Sequence, residues 1–272
     1  IIDDLVTAEC EGTKSHGLSK FFRLNQDIQE IEGSPEITKQ VGNYARVDGH
    51  KDLGVFAAKY CIDLGIDLAK KHGNSIVALT NASRFSRLKP FGEMIANQGY
   101  IGIIINNGGG LPAVAPHNGT RSIFGTNPIC FAFPSKEKPY IFDFATSKKT
   151  WGEIRLAQLE NRPLDEDTFL DEDGNFTTDP YKAETILPFG GPKGYALCYA
   201  IEILTGAFVG AKMGTETKDQ YDLGFLFAIL SPDMFADAES FMTQIDELAT
   251  EVKSVRSLDP NEPVRIPGQG SD

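Results

Sequence analysis

The sequence predicts an α/β or α+β fold, and three observations carry that expectation. Apolar runs of strand length recur along the chain. Amphipathic stretches of helix length interleave with them, and turns bearing glycine or proline separate the two. At 272 residues, 41% hydrophobic and 24% charged, the composition is globular and the length ample for a core.

Taken in order, "IIDDLVTAEC" puts Ile1, Ile2, Leu5, Val6 and Ala8 at near-helical spacing, and Gly12 can end that helix. The stretch has no Met, no basic n-region and no cleavage site, so it is not a signal peptide, and the natural N-terminus is expected upstream. "EITKQVGNYARVDG" predicts extended chain closing in a turn at Asp48-Gly49. "LGVFAAKYCIDLGIDLAKKHG" predicts a helix with Val55, Ala58, Ile62, Ile66 and Ala69 on its apolar stripe. Lysines near its end and Gly73 supply the stop. "SIVAL" and "YIGIIIN" read as buried strands on either side of a short helix, "FGEMIANQG".

The middle of the chain predicts two strands, "ICFAF" and "YIFDF", joined by the turn "SKEKP". "TWGEIRLAQLEN" is a helix, followed by acidic loop to about Pro180. A long helix is expected to open at "GGPKGYALCYAIEILTGAFVGA", and "GFLFAIL" is a late strand. "DMFADAESFMTQIDELATEVKSV" predicts an amphipathic helix with Phe241, Ile245, Leu248 and Val252 on one face.

A formal net charge of −12 argues against general affinity for nucleic acid or an anionic membrane surface. No apolar run approaches the roughly 20 residues of a membrane span. Cys10, Cys61, Cys130 and Cys198 are far apart, with no CxxC pair and no histidine at zinc-ligand spacing. They read as reduced core thiols of a cytoplasmic protein, and no metal site is expected.

Two motifs fail on inspection. "YIGIIINNGGGLPA" offers Gly108-x-Gly110-x-x-Ala113 after a strand, as in a dinucleotide-binding fingerprint. That fingerprint needs a helix to open there, and Pro112 and Pro116 oppose one. "DEDGNFTTDP" mimics a calcium loop, but with Gly174 at the sixth position the first and twelfth fall on Phe169 and Pro180, neither acidic. Three features remain. Gly190, Gly191, Lys193 and Gly194 open a strong helix, an arrangement suited to an anion. Small polar residues sit at strand ends: Thr126, Asn127, Asp143, Thr146 and Ser147. His16, in "SHGLSK", is flanked by small residues, with Lys14 and Lys20 nearby.

In this order, "SHGLSK", "VDGHKDLG", "GTNPICFAFP", "IFDFATS", "DEDGNFTTDP", "LPFGGPKGYALCYAIEILTGAFVGA" and "VRIPGQ" resemble the malate/L-lactate dehydrogenase family of the non-Rossmann type. That family includes ureidoglycolate dehydrogenase, 2,3-diketogulonate reductase, sulfolactate dehydrogenase and piperideine-2-carboxylate reductase. The resemblance runs from about residue 1 to residue 269. It implies an oxidoreductase using NAD or NADP on small anionic substrates: 2-oxo acids, 2-hydroxy acids or cyclic imino acids. It also implies a large mixed, mainly antiparallel sheet flanked by helices, and a homodimer with the active site near the subunit interface. Residues 37–232 are expected to form the cofactor-binding and catalytic core, with 1–36 and 233–272 as a flanking helical lobe.

By the same resemblance, His16 gives a proton to the carbonyl as hydride arrives, a role suited to imidazole near neutral pH. The implied cofactor contacts are Asp143, Phe144 and Ala145, then Lys193, then the turn Pro267, Gly268 and Gln269. Thr126, Asn127 and Pro128 line the same region. Three positions depart from the family pattern. Lys20 stands where SHGxxR has an arginine that grips the substrate carboxylate, and lysine has no bidentate fork. Arg84, in "NASRFS", takes the place of a second histidine, and Gln269 replaces the glutamate of "PGE". Lys20 and Arg84 are the expected anion holders. The substitutions leave two alternatives open: a catalytically silent nucleotide-binding or scaffold protein on this fold, and a reductase of an uncharged carbonyl compound.

Overall fold

The computed structural model describes residues 2–12, 17–18, 21–108 and 111–269. Its centre is a seven-stranded sheet. The strands are β1 (Glu36–Val41), β2 (Tyr44–Asp48), β3 (Asn74–Thr80), β4 (Ile101–Asn106), β5 (Ile129–Phe133), β6 (Tyr140–Phe144) and β9 (Gly224–Leu230). They lie in the order β1-β2-β3-β9-β4-β5-β6. Every neighbouring pair is antiparallel except β2 and β3, which run parallel because helix α3 (Gly54–His72) crosses over between them. The sheet is therefore mixed and mainly antiparallel, as expected.

Strand register explains the core. Ala45, Val77, Phe227, Ile104 and Cys130 are partnered in one row across five strands, and all are buried. Phe225, Phe227 and Ile229 of the central strand β9 are each 0% exposed. The helices α3 and α4 (Lys89–Ala96) cover this face with Ala58, Ile62, Ile66, Ala69, Phe91 and Ile95. A Cβ built on Gly65 would lie 2.7 Å from Ile229 Cδ1, so α3 approaches the sheet closely enough to require glycine there. Asp143 on β6 pairs with Cys130 and so ends the apolar row with a carboxyl group.

On the opposite face, Ile105 and Ile129 pack against Ile201 of α6 (Pro192–Thr205). A second core gathers Val114, Phe124, Phe169, Ile186 and Cys198 with Ile154 and Ala157 of α5 (Trp151–Glu160), around the short pair β7 (Phe169–Leu170) and β8 (Thr185–Ile186). Helices α1 (Ile2–Cys10) and α2 (Phe21–Gln29) precede the sheet. Helix α7 (Ala238–Ser254) follows it and is fastened to β6 by the Tyr140 hydroxyl, which donates to Asp246 Oδ1 at 2.9 Å.

Several expectations need correction. The stretch "EITKQVGNYARVDG" is a hairpin turning at Gly42-Asn43, where Gly42 has φ +55°, before the turn at Gly49. Helix α6 stops at Thr205: the Thr205 hydroxyl bonds back to the Ile201 carbonyl at 2.7 Å, and Gly206 breaks the helical dihedrals. On α7, Leu248 is 58% exposed, and Ala249 is the buried residue of that turn. Three cysteines are buried, but Cys10 is exposed. Among the described residues no helix is long and apolar enough to cross a membrane.

Candidate active site

Four of the expected cofactor segments converge on β6, the last strand of the sheet. The first link is at its C-terminal end. Thr146 is fully buried, and its N–H and hydroxyl both donate to the Thr126 carbonyl at 2.9 Å, fixing the GTNP segment to the end of β6. The second link is the Phe189 N–H, which donates to the Thr146 carbonyl at 3.0 Å and delivers the chain into Gly190, Gly191 and α6. The third is the turn at 267–269. Gly268 has φ +79°, and a Cβ there would lie 1.8 Å from the Ile141 carbonyl oxygen, so this turn rests directly on the β6 backbone. Buried Ile266 anchors it, and the Gln269 N–H closes it on the Ile266 carbonyl.

The residues present fit a dinucleotide's phosphates. Gly190 and Gly191 have φ +56° and +60°, and nothing lies within 4 Å of a Cβ built on Gly190. Open backbone then leads into a helix start whose first N–H groups have no intrahelical acceptor. Lys193 is exposed in the first turn. Phe144 is 41% exposed and meets Phe189 edge-on at 6.1 Å between ring centroids. Asn127 differs from the expectation of a ligand contact. It is fully buried at φ +38°, and its Nδ2 donates to the Cys198 carbonyl at 3.0 Å and to Glu202 Oε2 at 2.8 Å. Its amide fastens the segment to α6.

Asp143 also has a structural task. Its Oδ2 accepts the Leu88 and Lys89 N–H groups, both at 2.8 Å, and so caps the start of α4 from the neighbouring strand. Burial pushes its pKa up. The two N–H donors and the charges of Arg87 and Lys89 pull the other way without overcoming it.

Arg84 lies in the connection from β3 to α4, half-buried and between two anchored neighbours. The Ser83 N–H donates to the Asp52 carbonyl at 3.0 Å, and the Ser83 hydroxyl oxygen accepts the Gly54 N–H at 2.9 Å. Phe85 stacks on Phe225 at 4.7 Å and meets Phe91 at 4.6 Å. His16 and Lys20 lie outside the described residues. The largest cleft, about 680 Å³, is lined by Glu30, Glu32, Asp219 and Asp222 together with Lys51 and Asn81. Lys51 is engaged by Glu32 at 2.5 Å, so this lining repels anions, and none of the cofactor segments borders it.

A sequence profile described as malate/L-lactate dehydrogenase matches residues 1–272. The chain belongs to the malate/L-lactate dehydrogenase family. It is 37% identical to the L-sulfolactate dehydrogenase of Methanocaldococcus jannaschii, over 98% of this chain and 80% of that protein. The crystal structure described as that organism's sulfolactate dehydrogenase superposes with a TM-score of 0.87 at 36% identity, covering 98% of this chain and 80% of the other. The malate/(S)-sulfolactate dehydrogenase of Methanothermus fervidus is 35% identical over 98% of this chain and 80% of its own length. The ureidoglycolate dehydrogenase (NAD(+)) of Escherichia coli is 28% identical over 100% of this chain and 81% of its own.

Family membership makes this chain an oxidoreductase with a nicotinamide cofactor. The family motifs did not point to Glu11, Lys89 or Glu202. Glu202 is the one with a visible sequence signal, an acid inside the apolar helix "YALCYAIEILTG". It is 4% exposed, and its Oε1 accepts the Gly214 N–H at 2.7 Å while Oε2 holds Asn127.

Proposed function

We propose that this dehydrogenase transfers hydride, with NAD or NADP, between the cofactor and a small 2-oxo or 2-hydroxy acid, cyclic imino acids being the related substrate class. The observation that carries this reading is the convergence on β6 of the GTNP segment, the α6 start and the 267–269 turn, with Gly190 and Lys193 left open beside them. When bound, the cofactor supplies the hydride chemistry. His16 holds the proton that reaches the substrate oxygen, or nitrogen in an imine, because imidazole changes charge near neutral pH.

Lys20 and Arg84 hold the anionic end of the substrate. A guanidinium stays charged near pH 7, so Arg84 grips a carboxylate and does not exchange the proton. Two relatives are named for sulfolactate or for malate and sulfolactate. Both compounds are 2-hydroxy acids with a second acidic group, which matches a site served by two cations. The exposed face of α6 and the turn after it, Tyr199, Ile203, Leu204 and Phe208, is apolar and supports a homodimer. Free thiols at Cys10, Cys61, Cys130 and Cys198 support a cytoplasmic setting.

The test is oxidation of NADH and NADPH with sulfopyruvate, oxaloacetate, pyruvate, a cyclic imino acid and an uncharged ketone. Turnover that is fastest with the doubly acidic 2-oxo acids is the expected result. Turnover of the uncharged ketone alone favours the non-acid alternative, and none with any compound favours a silent scaffold.

A further inference from the structure

Two carboxylates at the end of α1 hold the described flanks of the segment that carries His16. On the far flank, Glu9 Oε2 accepts the Leu18 N–H at 3.1 Å, and a Cβ on Gly17 would lie 2.1 Å from that same oxygen. On the near flank, Glu11 reaches across to the connection before α4. Its Oε2 meets Arg87 Nη1 at 2.5 Å and its Oε1 meets Lys89 Nζ at 2.6 Å. The side chains of Arg87 and Lys89 are 9% and 28% exposed, so the contact is more shielded than an ordinary surface ion pair.

Lys89 is the hinge of the arrangement. Its Nζ holds Glu11, while its backbone N–H donates to Asp143 Oδ2 on β6 at 2.8 Å. One residue thus touches both the cofactor strand and the anchor of the His16 segment. We propose that Glu11 and Lys89 are a positioning pair that sets the SHG segment against the cofactor strand, a role resting on the assignment of His16 as acid/base. Neither side chain takes part in proton or hydride transfer. Their contribution is geometric, and catalytic steps are sensitive to misplacement of about an ångström.

The experiment compares E11Q, K89M, the double variant and H16A in the full chain, with the cofactor and the best 2-oxo acid. It reads kcat, KM, cofactor Kd and Tm. E11Q is expected to lower kcat about tenfold, with cofactor affinity unchanged. K89M should do the same, and the double variant should fall no further than either single one, as for two residues acting through one contact. Rising ionic strength should bring wild-type kcat toward the E11Q value and leave E11Q flat. A purely structural pair would lower Tm without this kcat loss or its salt dependence. Wild-type kcat in E11Q beside a loss in H16A overturns the positioning role alone, as do single-variant losses that simply add. Wild-type kcat in H16A overturns the acid/base assignment and the positioning role with it.

Discussion

Thr146 gives both of its hydrogens to one acceptor: its N–H and its hydroxyl each lie 2.9 Å from the Thr126 carbonyl oxygen. This double bond to a single atom sets where the GTNP segment meets the end of β6, and Thr146 is fully buried where it does so. Replacing Thr146 with Val keeps the N–H bond and removes the hydroxyl. The expected cost is about 1 kcal/mol of stability, the usual net value of one hydrogen bond, measured by denaturant unfolding. Cofactor affinity, measured by calorimetry, should weaken as well, because the same link positions the path from Phe189 into α6. An unchanged affinity would detach Thr146 from the cofactor site.

The turn at 267–269 gives a second prediction. Gly268 sits at φ +79° with the Ile141 carbonyl 1.8 Å from the place a Cβ would occupy. Alanine there meets both a left-handed backbone, disfavoured by about 1–2 kcal/mol, and a collision with the backbone of β6. The turn must lift away. Gly268→Ala should therefore weaken cofactor binding more than it lowers Tm, because the turn lies at the sheet edge, outside the main core. Loss of Tm with unchanged cofactor affinity would make the turn purely structural.

Helix α3 was readable from sequence because its signals agree. The apolar stripe of Ala58, Ile62, Ile66 and Ala69 is buried, and Gly73 closes the helix at φ +82°. The hairpin at Gly42-Asn43 was missed because β1 is an exposed edge strand with little apolar alternation to mark it. The cofactor segments were legible as motifs, and their convergence was not, since it depends on bonds such as Phe189 to Thr146 across 43 positions. Asp143 illustrates the same limit. Sequence placed it on a strand end, but only the fold brings the α4 start to its carboxylate.

Thiol chemistry separates the cysteines. Burial pushes the Cys198 pKa up to about 11, and raises those of Cys61 and Cys130 further. Cys10 is exposed. In native protein at pH 8, a disulfide reagent should titrate Cys10 quickly and reach the other three only after unfolding, because the thiolate is the reactive form. Rapid modification of a second cysteine in native protein would show that this packing opens readily.

Arg84 gives a kinetic prediction. Its neighbours Ser83 and Phe85 are fixed by the Gly54 N–H and by the rings of Phe225 and Phe91, so the backbone at Arg84 is held in place. If the guanidinium grips the substrate carboxylate, Arg84→Ala removes a charged hydrogen-bond partner worth about 1.5–3 kcal/mol. KM for an acidic substrate should rise on the order of 10- to 100-fold. Arg84→His, the family's usual residue, should raise KM in the same direction. Equal KM values in wild type and Arg84→Ala would place the arginine outside the substrate site.

The charge at Asp143 makes a prediction with a definite sign. Burial raises its pKa in the folded protein above the ordinary carboxylate range. As pH climbs through the ordinary Asp value near 4, the unfolded chain loses its proton first while the folded one keeps it. The folded state then binds more protons, so this group's contribution to stability falls with rising pH until the folded carboxyl also ionises. Glu11 runs the opposite way. Its partial burial pushes upward, but Lys89 and Arg87 together hold its pKa below the usual range, so its contribution is lost as pH falls. Asp143→Asn separates the two, because Asn keeps an oxygen for the Leu88 and Lys89 N–H groups and does not titrate. The difference in Tm, variant minus wild type, should increase as pH rises from about 3 toward neutrality and then level off. Glu11 is present in both proteins and drops out of the comparison. A difference that shrinks with pH would mean that the two N–H donors and the charges of Arg87 and Lys89 outweigh burial at Asp143.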